Sequence, residues 1–373
     1  PECEVEIIKV EPDNPDFNPE LAKYIGTVDV VRYEMKPMRF IKKIYKVKKY
    51  AQDDKIFKGI APTTPLLNSQ YTASFIAGLA ELRYLHGMPL ENAVSYFRSH
   101  GLDLDKGTAQ KLVSKTKAQL ENLYKALAKA IVEDNYICGD ETYQKVRLQV
   151  ATPSGKKIKK AYIWGFVGMT NRLVYFFYDD GSRSAEVFEN QIKGFEGAFQ
   201  CDYYSGYRHI GIGEMNGIKR LPCLQHIKRK FLDIKDNPQA QEIAKLFGLL
   251  HHFEHKHKIG KDGWMAEDHL QWRQRYSKVM LEKIHMRLIA VKDRPGIPPD
   301  DPLLATSEHA LKQWNEIPRI FTSPTYRLDN NEVERVNRYI SLTRPRLTIG
   351  SGMGAEAATL YHSLAITCHR CGG

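Results

Sequence analysis

The sequence predicts a mixed α/β protein: a five-stranded mixed sheet with helices, interrupted by a helical insertion and preceded by a small β unit and a helical region. Three observations carry this. Strand-like apolar runs between residues 136 and 224 follow the order β-β-β-α-β-α-β. Helical spacing of apolar residues dominates before and after that segment. Two of the strands run into an aspartate, Asp140 and Asp202. Three strands joined by short turns, then two reached through helices, give a sheet in which the first and fourth strands lie side by side.

Composition fits a globular chain. Of 373 residues, 42% are hydrophobic and 27% charged, a length that suggests two or three domains. The net charge of +11 suits a polyanionic partner. The cysteines (Cys3, Cys138, Cys201, Cys223, Cys368, Cys371) are sparse and sit mostly in apolar runs, which points to a reducing compartment and not to a disulfide framework. No run of about 18 apolar residues exists, so no membrane span is expected. No signal peptide is visible. The chain starts at Pro1 without Met and ends at Cys-Gly-Gly, as a fragment or processed form would.

The elements follow in order. Residues 1–30 are acidic and broken by Pro12, Pro15 and Pro19. In residues 28–50 apolar and basic residues alternate through Met38-Arg39-Phe40-Ile41-Lys42-Lys43-Ile44-Tyr45-Lys46-Val47. That predicts a strand pair with one basic face, either a solvated surface or a phosphate-contacting one. Residues 51–67, with Pro62 and Pro65, read as a linker. From Ser69 to about Asp134 the spacing turns helical, in Phe75-Ile76-x-x-Leu79-x-x-Leu82 and from Leu112 to Leu127. Between those runs a helix, turn and helix are expected, compatible with a DNA reader or with a plain helical hairpin.

Tyr136 to Thr142 reads as a short strand ending in acid. Lys160–Gly168 and Leu173–Tyr178 are the next strands, joined at Met169-Thr170-Asn171-Arg172. A helix is expected from Ser184 to Ile192, a fourth strand at Gly197–Asp202, and a fifth at Ile218–Leu224. This is the order of a ribonuclease-H-like sheet. From His226 to about Ile320 the pattern is helical and charged. Asp329-Asn330-Asn331 then leads into the acidic helix start Glu332-Val333-Glu334-Arg335. The expected division is 1–67, a small β-containing region; 68–134, a helical DNA-binding region; 135–225 with 321–366, the sheet domain; and 226–320, the insertion.

Asp140 and Asp202, at the ends of neighbouring strands, can converge, and the helix carrying Glu334 can return to them. Three clustered carboxylates repel unless cations neutralise them. Oxygen donors suit Mg²⁺ or Mn²⁺, and two such ions can activate a water or a 3′-hydroxyl and stabilise a leaving oxygen.

Four motifs in this order resemble bacterial insertion-sequence transposases of the IS-sixty-six type: Gly139-Asp140-Glu141-Thr142; Cys201-Asp202-Tyr203-Tyr204-Ser205-Gly206-Tyr207; Cys223-Leu224-Gln225-His226-Ile227-Lys228-Arg229-Lys230-Phe231; and Asp329-Asn330-Asn331-x-x-Glu334-Arg335. The resemblance spans roughly residues 36–365. It implies a DDE transposase that cuts and joins double-stranded DNA ends with two divalent metal ions. Asp140, Asp202 and Glu334 would be both the catalytic and the metal-binding triad. Glu332 falls on a variable position of the motif. Arg335 would orient Glu334 or contact a phosphate. The implied protein is bacterial, cytoplasmic and nucleoid-associated, and works as a homodimer on DNA.

Two departures stand out. The family usually carries a zinc module with paired cysteines, its second pair just after the basic strand. Here that place reads Tyr50-Ala51-Gln52-Asp53-Asp54, which argues against zinc there. The glycine-rich turn Ile349–Gly354 is kept, but Ala357 stands where arginine is usual.

The remaining candidates are weighed residue by residue. His226, Lys228, Arg229, Lys230, Arg335, Arg344 and Arg346 are candidate phosphate contacts. Cys223-x-x-His226 has zinc-ligand spacing, but a zinc clip needs a second half. The nearest supply is His251, His252, His255 and His257. The preferred reading is a buried cysteine at a strand end and a histidine facing the site. Cys368-x-x-Cys371 lacks a partner pair. Trp264, Trp272 and Trp314 read as core anchors, with stacking on an unpaired base the alternative. Two other functions fit the same residues: a transposase-derived DNA-binding protein that no longer cuts, and a metal-dependent nuclease that does not join strands.

Overall fold

The computed structural model describes residues 20, 39–52, 55–58, 60–151, 155–345 and 349–372. Strands β1 (Lys49–Gln52) and β2 (Lys55–Lys58) form an antiparallel hairpin with Gln52 opposite Lys55. Of the strand pair expected within 28–50, only its end at Lys49 and Tyr50 is strand among the described residues. Residues 28–38 lie outside the described residues, and 39–48 carry no regular structure, with Ile41 and Ile44 exposed. Part of the expected linker is strand instead. The turn-favouring pair Asp53-Asp54 separates two short alternating runs, a hairpin signal that outweighs the longer alternation upstream.

Four helical segments follow. Helix α1 (Ala73–Ala80) starts where the Thr72 hydroxyl accepts from Phe75 N, and it runs into a π-turn at Glu81–Leu85. Helices α2 (Leu90–Ser99) and α3 (Lys106–Val132) come next, the second capped by Asp105 accepting from Thr108 N at 2.8 Å.

The main sheet comprises β3 (Tyr136–Arg147), β4 (Ile158–Gly168), β5 (Val174–Phe177), β6 (Ala198–Cys201) and β7 (Lys219–Pro222), with α4 (Ala185–Gln191) before β6. Its order is β5-β4-β3-β6-β7. The first three strands are an antiparallel meander, while β6 runs parallel to β3 and β7 parallel to β6. This is the ribonuclease-H-like arrangement the element order predicts. Strand β3 does not stop at the acid. It continues to Arg147 because β4 pairs with it along its whole length, out to Ile158. Asp140 is thus internal to β3. The parallel pairing to β6 ends at Cys138, however, so Asp140 lies where the sheet opens beyond its parallel half.

After β7 the described chain is helical: α5 (Leu224–Leu232), α6 (Pro238–Lys256), α7 (Ala266–Trp272) passing into a π-turn, α8 (Lys278–Lys292), α9 (Pro302–Leu311), α10 (Asn331–Thr343) and α11 (Gly352–Arg370). Both sheet faces are covered, as parallel strands require. Cys138, Ile163, Val167 and Phe176 share one core with Phe231, Phe247, Ile284, Leu288, Val333 and Ile340. Ile137, Trp164, Phe166 and Phe199 face Phe188 of α4 and Ile131 of α3. The insertion helices therefore extend the sheet's own core.

Helix α11 ties the N-terminal helices to the sheet. Its Ala358, Leu360 and Tyr361 pack with Ile76, Phe97 and Leu112. Its Ser363 and Thr367 hydroxyls accept from the free edge of β5, from Phe176 N at 2.8 Å and Val174 N at 3.0 Å. That satisfies an edge strand that would otherwise expose backbone donors. No helix of the described residues is long and apolar enough to cross a membrane.

Candidate active site

The site forms where the parallel half of the sheet ends and α10 crosses the meander. Asp140 projects from β3 opposite Gly165 of β4. Its Oδ2 accepts from Asn337 Nδ2 at 3.0 Å. Asn337 lies three residues after Glu334, and residues so spaced share one helix face. One face of α10 thus presents Glu334 and Asn337 together. Asp202 follows β6 directly. Its Oδ1 accepts from Tyr204 N at 2.9 Å, and its carbonyl accepts from Arg220 Nη2 at 3.0 Å. All three residues are half-buried.

Asp140 lies near enough to Asp202 and Glu334 for their charges to act on it, but the three carboxylates do not gather within 4.8 Å of one another, as Cys223, His226 and Glu334 do. Burial, followed by the charges of Glu141, Asp202 and Glu334, pushes the Asp140 carboxyl well above the usual carboxylate range, against the Asn337 hydrogen bond. Among the described residues, no lysine or arginine forms an ion pair with any of the three. Glu334 has only His226, whose Nε2 is 3.7 Å away, and Glu334 Oε1 is buried without a hydrogen-bond partner.

Glu332 behaves oppositely. Two residues from Glu334, it points to the other side of α10. There Arg327, Arg335 and Arg370 approach it at 2.6, 2.8 and 3.1 Å. Burial raises its carboxyl, but the arginines prevail and hold it below the ordinary value. Arg335 therefore pairs with Glu332 and does not orient Glu334. Glu332→Gln is expected to cost on the order of 1–2 kcal/mol of stability while sparing any metal-dependent chemistry. Glu334→Gln is expected to do the reverse. Urea melts beside a DNA-cleavage assay check the crossover.

Residues the sequence did not single out complete the site. Glu141 points away from Asp140 along the strand alternation and is held by Arg183 Nε at 2.8 Å and Tyr207 OH at 2.9 Å. The Arg183 guanidinium also lies over the Tyr204 ring at 3.8 Å. Arg183, Asp202, Tyr203, Tyr204, His226, Lys230, His309 and Gln313 line a cleft of about 180 Å³. Arg183 sits in an aperiodic loop and His309 in a helix far along the chain, so neither carries a linear signal. Gly165 is the close approach that admits α10. A Cβ there would lie 2.7 Å from Asn337 Oδ1 and 3.1 Å from a Phe176 ring carbon. Gly165→Ala is expected to cost about 1–3 kcal/mol and to displace Asn337 from Asp140. An unchanged urea midpoint would contradict this.

The candidate basic contacts separate. Lys230 lines the cleft. Arg229 is exposed, and Lys228 packs toward Gly248 of α6. Arg344 is committed to the protein: it donates to Tyr143 O at 2.8 Å and Thr142 Oγ1 at 2.6 Å and stacks on the Tyr143 ring. Arg346 lies outside the described residues. The α6 histidines do not gather round Cys223. His251 lies 3.9 Å from Asp329, and His257 stacks on Trp272. Trp314, buried, stacks on His285 as a core anchor does, whereas Trp264 and Trp272 are only half-buried, the first edge-on to His257 and the second stacked on it.

A sheet in this order, with helices on both faces and an acid-bearing helix laid across the meander, is a ribonuclease-H-like fold. Residues 68–357 match the model of the Transposase IS66 family, and the chain belongs to that family. Among curated proteins it is similar to three from Sinorhizobium fredii. It is 25% identical to uncharacterized protein y4jD over 352 residues, which is 90% of this chain and 66% of that protein. Uncharacterized protein y4qI is 23% identical over 382 residues, 96% of this chain and 68% of that one. Uncharacterized protein y4hP is 25% identical, with 75% of this chain and 53% of that protein covered. The chain thus spans between about half and two thirds of the length of these relatives.

Proposed function

We propose that this chain is the catalytic part of a DNA transposase that cuts and joins insertion-sequence ends, with Asp140, Asp202 and Glu334 holding two Mg²⁺ or Mn²⁺ ions. The observation that carries the reading is the contrast in charge compensation. Glu332 and Glu141 each have arginine partners, whereas Asp140, Asp202 and Glu334 have none among the described residues. Uncompensated, half-buried oxygen donors fit hard divalent cations. Bound there, such ions would supply Lewis-acid activation of a water or 3′-hydroxyl and stabilise the leaving oxygen.

The chain's own residues do the rest. Asn337 fixes the Asp140 carboxylate, and the Tyr204 amide fixes Asp202. Arg183 neutralises Glu141, so that a fourth negative charge does not face the incoming phosphate. Lys230 and Arg183, on the cleft wall, are placed to meet a DNA backbone, which cations position without reading sequence. The partner is double-stranded DNA, transposon end and target, engaged by a homodimer.

The test uses a labelled duplex carrying the element's own terminal repeat. Mg²⁺-dependent nicking and strand transfer, abolished by EDTA, are expected. Salt-sensitive binding without nicking would replace this reading with a DNA-binding protein. Nicking without joining would replace it with a nuclease.

A further inference from the structure

We propose that Cys223, His226 and Glu334 form a second metal site, one selective for a borderline ion such as Zn²⁺, which on binding withdraws Glu334 from Asp140 and Asp202. One ligand atom from each of the three lies within 4.8 Å of the other two. Two helix starts create the cluster. Cys223 is the N-cap of α5 and His226 lies in its first turn, while Glu334 lies in the first turn of α10. The Leu224 N–H to Leu328 O hydrogen bond, 2.8 Å, clamps these two segments together.

The polar atoms here are under-used. His226 Nε2 and Glu334 Oε1 are 3.7 Å apart, too far for a hydrogen bond. Glu334 Oε1 and His226 Nδ1 are both buried without partners. Around a tetrahedral zinc, N, O and S ligand atoms stand roughly 3.3–3.8 Å apart, so closing the set needs a side-chain shift of about 1 Å. His226 and Cys223 also line the cleft, which leaves room for a water as fourth ligand.

Thiolate and imidazole donors select zinc or cobalt over magnesium, whereas an all-carboxylate set selects the hard ions. Glu334 belongs to both sets. The same chain would therefore bind a hard ion pair or one soft ion, and zinc would inhibit. Only this competition rests on the proposed transposase activity; the binding itself does not.

Co²⁺, the spectroscopic stand-in for zinc, is titrated into the purified chain carrying Cys3→Ser, Cys368→Ser and Cys371→Ser, which leaves Cys223 with only the buried thiols of Cys138 and Cys201 beside it. A thiolate-to-cobalt charge-transfer band is expected, saturating at one equivalent and displaced by Zn²⁺. Cys223→Ser should abolish the band, and Asp202→Asn should keep it. His226→Ala and Glu334→Gln should each weaken Co²⁺ binding tenfold or more while the thermal transition stays cooperative. No band, or a band that survives Cys223→Ser, overturns the site. The titration reads out whether or not the protein cuts DNA. If cutting is observed, added Zn²⁺ should suppress it in Mg²⁺, and insensitivity to zinc would overturn the competition.

Discussion

Asp140→Asn is expected to abolish metal-dependent DNA cleavage and, in the same protein, to raise the melting temperature measured in EDTA. The activity half follows from charge. A bound divalent ion provides several kcal/mol of transition-state stabilisation. Losing about 4 kcal/mol lowers the rate roughly 10³-fold, which an oligonucleotide nicking assay resolves easily. The stability half follows from the neighbourhood of Asp140. Burial, then Glu141, Asp202 and Glu334, raise its carboxyl well above the ordinary value. A raised acid favours its neutral form in the folded state. The stability that form confers is complete below the unfolded value of about 3.9 and is lost as pH rises through the folded value. Without metal, a carboxyl whose charged form is disfavoured in the fold is a burden at pH values above the unfolded one, and asparagine relieves it. The Asn337 hydrogen bond can persist, because an amide oxygen also accepts. Each kcal/mol relieved raises the melting temperature by about 2 °C in a domain of this size. The gain should fade below pH 4. It should also reverse in saturating Mg²⁺, because only the wild type gains ligand-linked stability there. A variant that lost activity and stability together would instead mark Asp140 as structural.

The opposing behaviour of Glu332 and Glu334 shows what the sequence could carry. Spacing alone places the two on different faces of one helix, but the chain gives no sign of which face meets the sheet. The arginines that settle it, Arg327 and Arg370, come from before and after the helix. Strand order was legible because apolar runs and turn residues are local. The length of β3 was not, because β4, not Asp140, decides where pairing stops. The hairpin at residues 49–58 is hard to read from the chain because its two-residue turn directly follows a longer period-two run. Arg183, His309 and Asn337 enter the site through tertiary contacts alone. Asn337 comes closest to being readable, since it stands one turn beyond Glu334.

The largest loss of stability is expected from Arg273→Ala. Arg273 is 3% exposed and lies in the π-turn between α7 and α8. Its Nε and Nη2 donate to Glu254 Oε2 at 2.9 and 2.7 Å. Its remaining N–H groups reach the carbonyls of Ile320 at 3.2 Å, Tyr326 at 2.8 Å, and Ser323. One guanidinium thus pins the returning segment 320–326 to the helices, and that segment leads directly to Leu328 and α10. Removing it strands a buried glutamate and several carbonyls, which costs about 3–5 kcal/mol. Glu254 reports the same network through pH. Burial raises its carboxyl, but His269, Arg273 and Ser277 outweigh burial and hold it below the ordinary value. The stability it confers is present above the unfolded value near 4.3 and is lost as pH falls through the folded one. Wild-type stability should therefore drop on acidification through that window, and Arg273→Ala should flatten the drop. Arg273→Met with Glu254→Leu, which removes the charge pair and keeps the volume, should recover much of the loss, since a buried pair is rarely worth more than good apolar packing. Urea midpoints at neutral and acid pH separate the cases. If α10 depends on this anchor, Arg273→Ala should also lower cleavage well below the temperature at which the fold melts, with the double variant restoring stability more fully than activity.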